Sequence, residues 1–171
     1  TDLPRWLAVF AAAIWAVALA ACSPPTFKAV DITGANYAHS FSLNAAGGGR
    51  RTLADFRGKV VVVFFGFTQC PDVCPTTLSD LAEVRKRLGA DGDRLQVVFI
   101  TIDPERDTAA LLSEYVPGFD STFIALYGTA EETAMTAKDF KVFYQKVPGK
   151  TATSYTMDHT ASVYLMDARG R

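Results

Sequence analysis

Cysteine is scarce in this chain: three in 171 residues, which excludes a disulfide-framework protein and leaves one thiol over from any pairing. Histidine is scarcer still, with two. No run of five or six like charges occurs, and the formal net charge is only −1. Neither a basic patch for nucleic acid nor an acidic tail is therefore offered, and no nucleic-acid partner is expected. Long apolar runs are also few. The longest, Trp6–Ala21, would span about 24 Å as a helix, short of the roughly 30 Å hydrocarbon core. What the chain has is apolar material for a core, at 49% hydrophobic against 20% charged residues. One globular domain with a short appendage fits that length and composition.

The appendage reads as a targeting segment. Trp6–Ala21 carries no charge, follows Arg5 and ends in small residues, as the apolar region of a signal peptide does. Its end, Leu19-Ala20-Ala21-Cys22, resembles the lipobox of bacterial lipoproteins, which implies cleavage before Cys22 and lipid on its sulfur. The alternative is an uncleaved helical anchor. Both place the remainder outside the cytoplasm, on the periplasmic side, tethered to a membrane. The expected organisation is a leader or anchor over 1–22, a tether over 23–38 and a globular domain over 39–171.

Within the domain, Phe41-Ser42-Leu43 and Arg51-Thr52-Leu53 flank a glycine-rich loop and predict a hairpin. Lys59–Phe67 and Leu95–Ile102 are apolar on both faces, the mark of central parallel strands covered on each side. Three helices are expected: from Pro75 to Gly89, around Thr108–Tyr115, and from a capping box at Thr129–Glu132 to about Phe143. A short strand is expected at Phe123–Leu126 and another at Ser162–Met166, with a polar loop over Val147–Asp158. This alternation predicts an α/β sandwich. The turn Asp167-Ala168-Arg169-Gly170 calls for a hairpin partner that does not follow, so the chain is expected to be truncated, lacking a last strand and a closing helix.

Chemistry concentrates in Gly66-Phe67-Thr68-Gln69-Cys70-Pro71-Asp72-Val73-Cys74-Pro75, between a buried strand and a helix. Sites in open α/β sheets form there. Each cysteine precedes a proline, which argues that both thiols stay outside regular helix, and the adjacent helix N-terminus is expected to favour thiolates. Three residues separate the cysteines, where thioredoxin-type dithiols have two. The wider bite suits one soft metal ion, with copper favoured by thiolate and imidazole. Thiol redox alone, and a structural disulfide or zinc, remain as alternatives. His159, at the mouth of the last strand, is the candidate third ligand, with Asp158 orienting its ring or lying just behind it. His39 reads as a solvated surface imidazole.

Phe64–Pro75, Ile102-Asp103-Pro104-Glu105-Arg106-Asp107-Thr108 and Asp158-His159-Thr160-Ala161 together resemble the three signature blocks of the Sco/SenC family. The resemblance runs from about Ala38 to Arg171. It implies a thioredoxin-like three-layer fold with an N-terminal hairpin, and a copper ion, Cu(I) or Cu(II), held by Cys70, Cys74 and His159. It further implies a copper chaperone for the dinuclear copper centre in subunit II of cytochrome c oxidase. An extracytoplasmic thiol–disulfide reductase acting on that subunit's cysteines is the alternative. Another copper chaperone or a thiol reductase would then be a further partner. Importance also attaches to Asp103, whose plainer reading is a strand-end residue before a turn-forming proline.

Overall fold

The glycine-rich loop between two short polar–apolar segments does what its composition predicts. Ser42–Ala45 (β1) and Arg50–Thr52 (β2) pair as an antiparallel hairpin, followed by a 3-10 turn at Leu53–Phe56. The computed structural model describes residues 27–151 and 154–171. The leader, Cys22 and the first residues of the tether lie outside the described residues. Among the described residues no helix is long and apolar enough to cross a membrane.

The unit Gly34–Arg171 is built on a six-stranded mixed sheet in the order β2, β1, Ile124–Tyr127 (β5), Leu95–Thr101 (β4), Val60–Gly66 (β3) and Val163–Met166 (β8). Val60–Gly66 (β3) and Leu95–Thr101 (β4) are parallel neighbours, and nearly every residue of both is buried, because both sheet faces are covered. Phe64, Phe65 and Phe99 are fully buried there, each contributing about 1.5–3 kcal/mol by removal from water. Val73–Arg87 (α1) crosses from β3 to β4, and Ala109–Tyr115 (α2) precedes Ile124–Tyr127 (β5), parallel to β4. Ala130–Asp139 (α3) begins with the expected capping box, in which Thr129 Oγ1 accepts from Glu132 N and Glu132 Oε2 accepts from Thr129 N. Val163–Met166 (β8) runs antiparallel to β3 and has a neighbour on one side.

Two expectations are corrected. First, α3 stops at Asp139 and does not reach Phe143. Val142 N donates to Ala137 O and Lys141 N to Lys138 O, a Schellman closure with Lys141 at φ 53°. A lysine occupies the position that glycine normally marks, so no stop signal was visible. Second, the stretch read as a polar loop, Val147–Asp158, overlaps two strands, Tyr144–Pro148 (β6) and Tyr155–His159 (β7), paired as a separate antiparallel hairpin. Among its described residues only Met157 is buried, so the pattern carries almost no apolar alternation.

Candidate metal centre

The parallel pairing of β3 with β4 puts the two loops that follow them side by side. Gly66 and Thr101 are register partners at the carboxyl ends, and Ile102 N donates to Gly66 O at 2.9 Å. Because β8 is antiparallel to β3, with Val163 opposite Phe64, the segment entering β8 arrives at this same end. β7 therefore delivers His159 to the cysteine loop. Gly66 matters here: a Cβ on it would lie 2.7 Å from Cys74 Sγ and 2.8 Å from the Phe99 ring. The missing side chain is the room in which the sulfur sits.

The loop closes in a turn, with Cys70 N donating to Phe67 O at 3.2 Å, and α1 begins at Val73. Cys74 is thus helical, contrary to the expectation drawn from Pro75. A proline in the first turn removes an N–H that has no helical acceptor, so the helix can start before it. The thiol expectation is corrected with it. Cys74 is wholly buried, and burial, reinforced by the neighbouring Cys70, pushes its thiol well above the ordinary range. Desolvation outweighs the helix N-terminus at this sulfur. The helix contributes differently, through the Cys74 amide, which donates to Cys70 Sγ at 3.4 Å.

Cys70 Sγ, Cys74 Sγ and a ring nitrogen of His159 lie within 4.8 Å of one another. His159 Nε2 is 3.8 Å from Cys74 Sγ, while Nδ1 is 3.0 Å from the Thr160 carbonyl. A carbonyl only accepts, so that bond places the ring proton on Nδ1 and turns the Nε2 lone pair to the thiols. Three donors arranged trigonally at about 2.3 Å from one ion lie about 4.0 Å apart. The three side chains need to close by less than about an ångström to share a soft cation. Neither thiol is in a disulfide, and Cys70, at 9% exposure, is the one nearer the surface.

Two acidic residues organise the surroundings. Asp107, 1% exposed, accepts from Thr68 N at 3.1 Å, from Thr68 Oγ1 and from Thr101 Oγ1 at 2.6 Å, tying the cysteine loop to the end of β4. Burial pushes its carboxyl up, and the Thr101 and Thr68 donors hold it partly back. Asp103, also 1% exposed, accepts from Tyr155 Oη at 2.8 Å and from Arg106 Nε. Burial and the bond to Asp103 push the Tyr155 phenol up to about 12, so it stays a donor at neutral pH. Arg106 also donates to Gln69 Oε1 at 3.0 Å and to Tyr155 O at 2.8 Å.

The structure thus brings Cys70, Cys74 and His159 together and sets Asp103 beside them through Arg106 and Tyr155. Asp158 stands apart: strand alternation turns it to the exposed side, opposite Gln145, while the Thr160 carbonyl holds the His159 ring. His39 lies outside the cluster, near Asp139 at 3.6 Å. Gly66, Gln69, Arg106, Asp107 and Tyr155 were not singled out in the sequence, although the first four fall inside the quoted blocks.

Residues 30–171 match the SCO1/SenC family. The chain is 40% identical over 132 residues to the mitochondrial SCO2 homolog of Mus musculus, covering 76% of this chain and 52% of that protein. It spans about half the length of the curated relatives it matches. Among solved structures, copper-bound ScoI of Bradyrhizobium japonicum superposes with a TM-score of 0.74 at 42% identity, covering 79% of this chain and 85% of that one. Copper-bound yeast Sco1 gives 0.72 at 35% identity, covering 80% and 76%. The thioredoxin-like fold expected from the sequence is the fold of these neighbours. By family match and structural likeness together, the chain belongs to the SCO1/SenC family.

Proposed function

We propose that Cys70, Cys74 and His159 bind one copper ion, and that the protein delivers copper to, or prepares, the dinuclear copper centre of cytochrome c oxidase subunit II. The observation that carries this reading is the two-sulfur, one-nitrogen cluster within 4.8 Å. Its donor set suits Cu(I), and an imidazole held at Nδ1 by the Thr160 carbonyl turns Nε2 toward the sulfurs as a third donor. The Sco family is a family of cytochrome c oxidase assembly proteins, and copper is bound in ScoI and Sco1 relatives. Three ligands on the loop edge of the sheet leave the ion open on one side, so a partner's cysteine or histidine can enter before these ligands leave. Metal uptake displaces thiol protons, because the ligand is the thiolate.

A second reading uses the same sulfurs for thiol–disulfide exchange, with the more exposed Cys70 attacking and Cys74 resolving. The close, unpaired thiols favour it. The two readings part at His159, which exchange does not use. We also infer an extracytoplasmic location, with lipid on Cys22 or a helical anchor holding the domain at the membrane.

Cu(I) titration of the reduced domain tests the ligands. One equivalent is expected for the wild type, none for Cys70→Ala or Cys74→Ala, and one weaker equivalent for His159→Ala. Undiminished uptake by Cys70→Ala would sink the assignment. Oxidase assembly restored in cells by His159→Ala would favour the reductase reading over the chaperone.

A further inference from the structure

The hairpin that carries His159 forms its own two-stranded sheet and joins no ladder of the six-stranded sheet. Among the described residues, its side-chain hydrogen bonds to the body, the thiol–imidazole contact aside, all end on the loop after β4. They are Arg106 Nη1 to Tyr155 O at 2.8 Å, Tyr155 Oη to Asp103 Oδ1 at 2.8 Å, and Lys146 Nζ to Glu105 Oε2 at 2.6 Å. The last is an exposed ion pair and holds little. Arg106 is the central tie. Its guanidinium carbon lies 3.6 Å from the Tyr155 ring centroid, within cation–π range, and Nη1 also reaches Gln69 Oε1, next to Cys70. Nε bonds the buried Asp103, which fixes the direction of the fork. The Phe67 ring also faces the guanidinium, 5.8 Å from it, and is edge-on to the His159 ring at 5.9 Å. One planar cation therefore touches the segment bearing Cys70, the strand bearing His159 and the aromatic ring against the imidazole.

We propose that Arg106 is a positioning residue for His159: a latch, seated on Asp103, that holds the β6–β7 hairpin against the cysteine loop and so sets the third ligand at coordinating distance. The inference rests on the reading of Cys70, Cys74 and His159 as copper ligands. With the latch closed, the ion has three protein donors. With it open, His159 leaves with its hairpin and the two sulfurs, fixed on the core, remain. The step that loosens the ion for transfer is then a movement of the hairpin, and a partner group competing for the partly exposed Arg106 would promote it.

Two measurements test the latch. The first is amide hydrogen exchange of the reduced, metal-free protein, comparing wild type with Arg106→Met, which keeps the aliphatic stem. Exchange of the β7 amides is expected to quicken by about tenfold or more, the scale of one lost charged hydrogen bond, with β3 and β4 unchanged. Equal protection of β7 in both proteins would overturn the proposal. The second is Cu(I) affinity by competition with a chromophoric chelator, for Arg106→Met, His159→Ala and the double variant. Arg106→Met is expected to weaken binding by about tenfold, as loss of an outer partner does, yet to add nothing in the His159→Ala background. The same loss in both backgrounds would show a general structural effect and overturn the latch. Should Arg106→Met not fold, Tyr155→Phe, which loses only the bond to Asp103, must give the same pattern at smaller size. A wild-type protein that took up no Cu(I) would sink the copper reading, and the exchange experiment would still decide the latch.

Discussion

The cysteine loop and the β6–β7 hairpin bring the proposed ligands to one point by opposite means. The loop is set in the core: Cys74 is fully buried against Gly66 and Phe99, and Asp107 fastens Thr68 from beneath. The hairpin is a two-stranded outrigger with one buried residue among those described, Met157, and it is tied to the body through Arg106 and Tyr155. Two of the proposed ligands are held by burial and one by a polar clasp. Under the proposed latch, a site so divided grips an ion with its core-set part and loosens it with the hairpin, which suits transfer better than storage.

Perturbing the rigid half should cost most. Asp107→Ala strips the acceptor from the Thr68 amide and from two hydroxyls, and is expected to destabilise the domain by about 3 kcal/mol, read by chemical denaturation. A loss under about 0.5 kcal/mol, the range of ordinary surface changes, would mean the loop is held elsewhere. Gly66→Ala drives a methyl into Cys74 Sγ and the Phe99 ring. About 2 kcal/mol of stability should go by overpacking, with copper affinity falling alongside, measured by denaturation and chelator competition. Unchanged affinity would show that the sulfur's seat is not needed.

The pH dependence sharpens the same contrast. Burial raises the Cys74 thiol, so the proton is on the sulfur at neutral pH and must leave when a metal binds. Apparent Cu(I) affinity should therefore climb with pH from 6 to 8, by roughly tenfold per unit for each thiol proton displaced. A flat profile in chelator competition would contradict thiolate ligation. The smallest effect is expected on the outer face of the hairpin. Asp158→Asn should leave stability within about 0.5 kcal/mol and copper affinity unchanged, because the Thr160 carbonyl, not Asp158, holds the ring. A marked drop in affinity would return Asp158 to the site.

The same division explains what the sequence revealed. Strands covered on both faces, a helix opened by a capping box and a cysteine loop at a strand-to-helix junction announce themselves through local composition, so β3, β4, the start of α3 and the thiol pair were legible. The outrigger was not. Tyr144–Pro148 and Tyr155–His159 bury little, so no apolar alternation marks them, and nothing in the sequence ties Arg106 to Tyr155 across 49 positions. The low-pKa thiol expectation failed at Cys74 for a related reason. Proximity to a helix N-terminus can be read from order along the chain, but complete burial against Gly66 and Phe99 cannot.

The central claim is that two core-fixed sulfurs and one hairpin-borne imidazole hold a single copper ion. X-ray absorption at the copper edge of the Cu(I)-loaded, reduced domain tests it most directly, with His159→Ala as the comparison. Two sulfur neighbours near about 2.3 Å and one nitrogen near about 2.0 Å are expected, the nitrogen vanishing in the variant while both sulfurs stay. A spectrum with fewer than two sulfurs, or a nitrogen that survives the loss of His159, would contradict it.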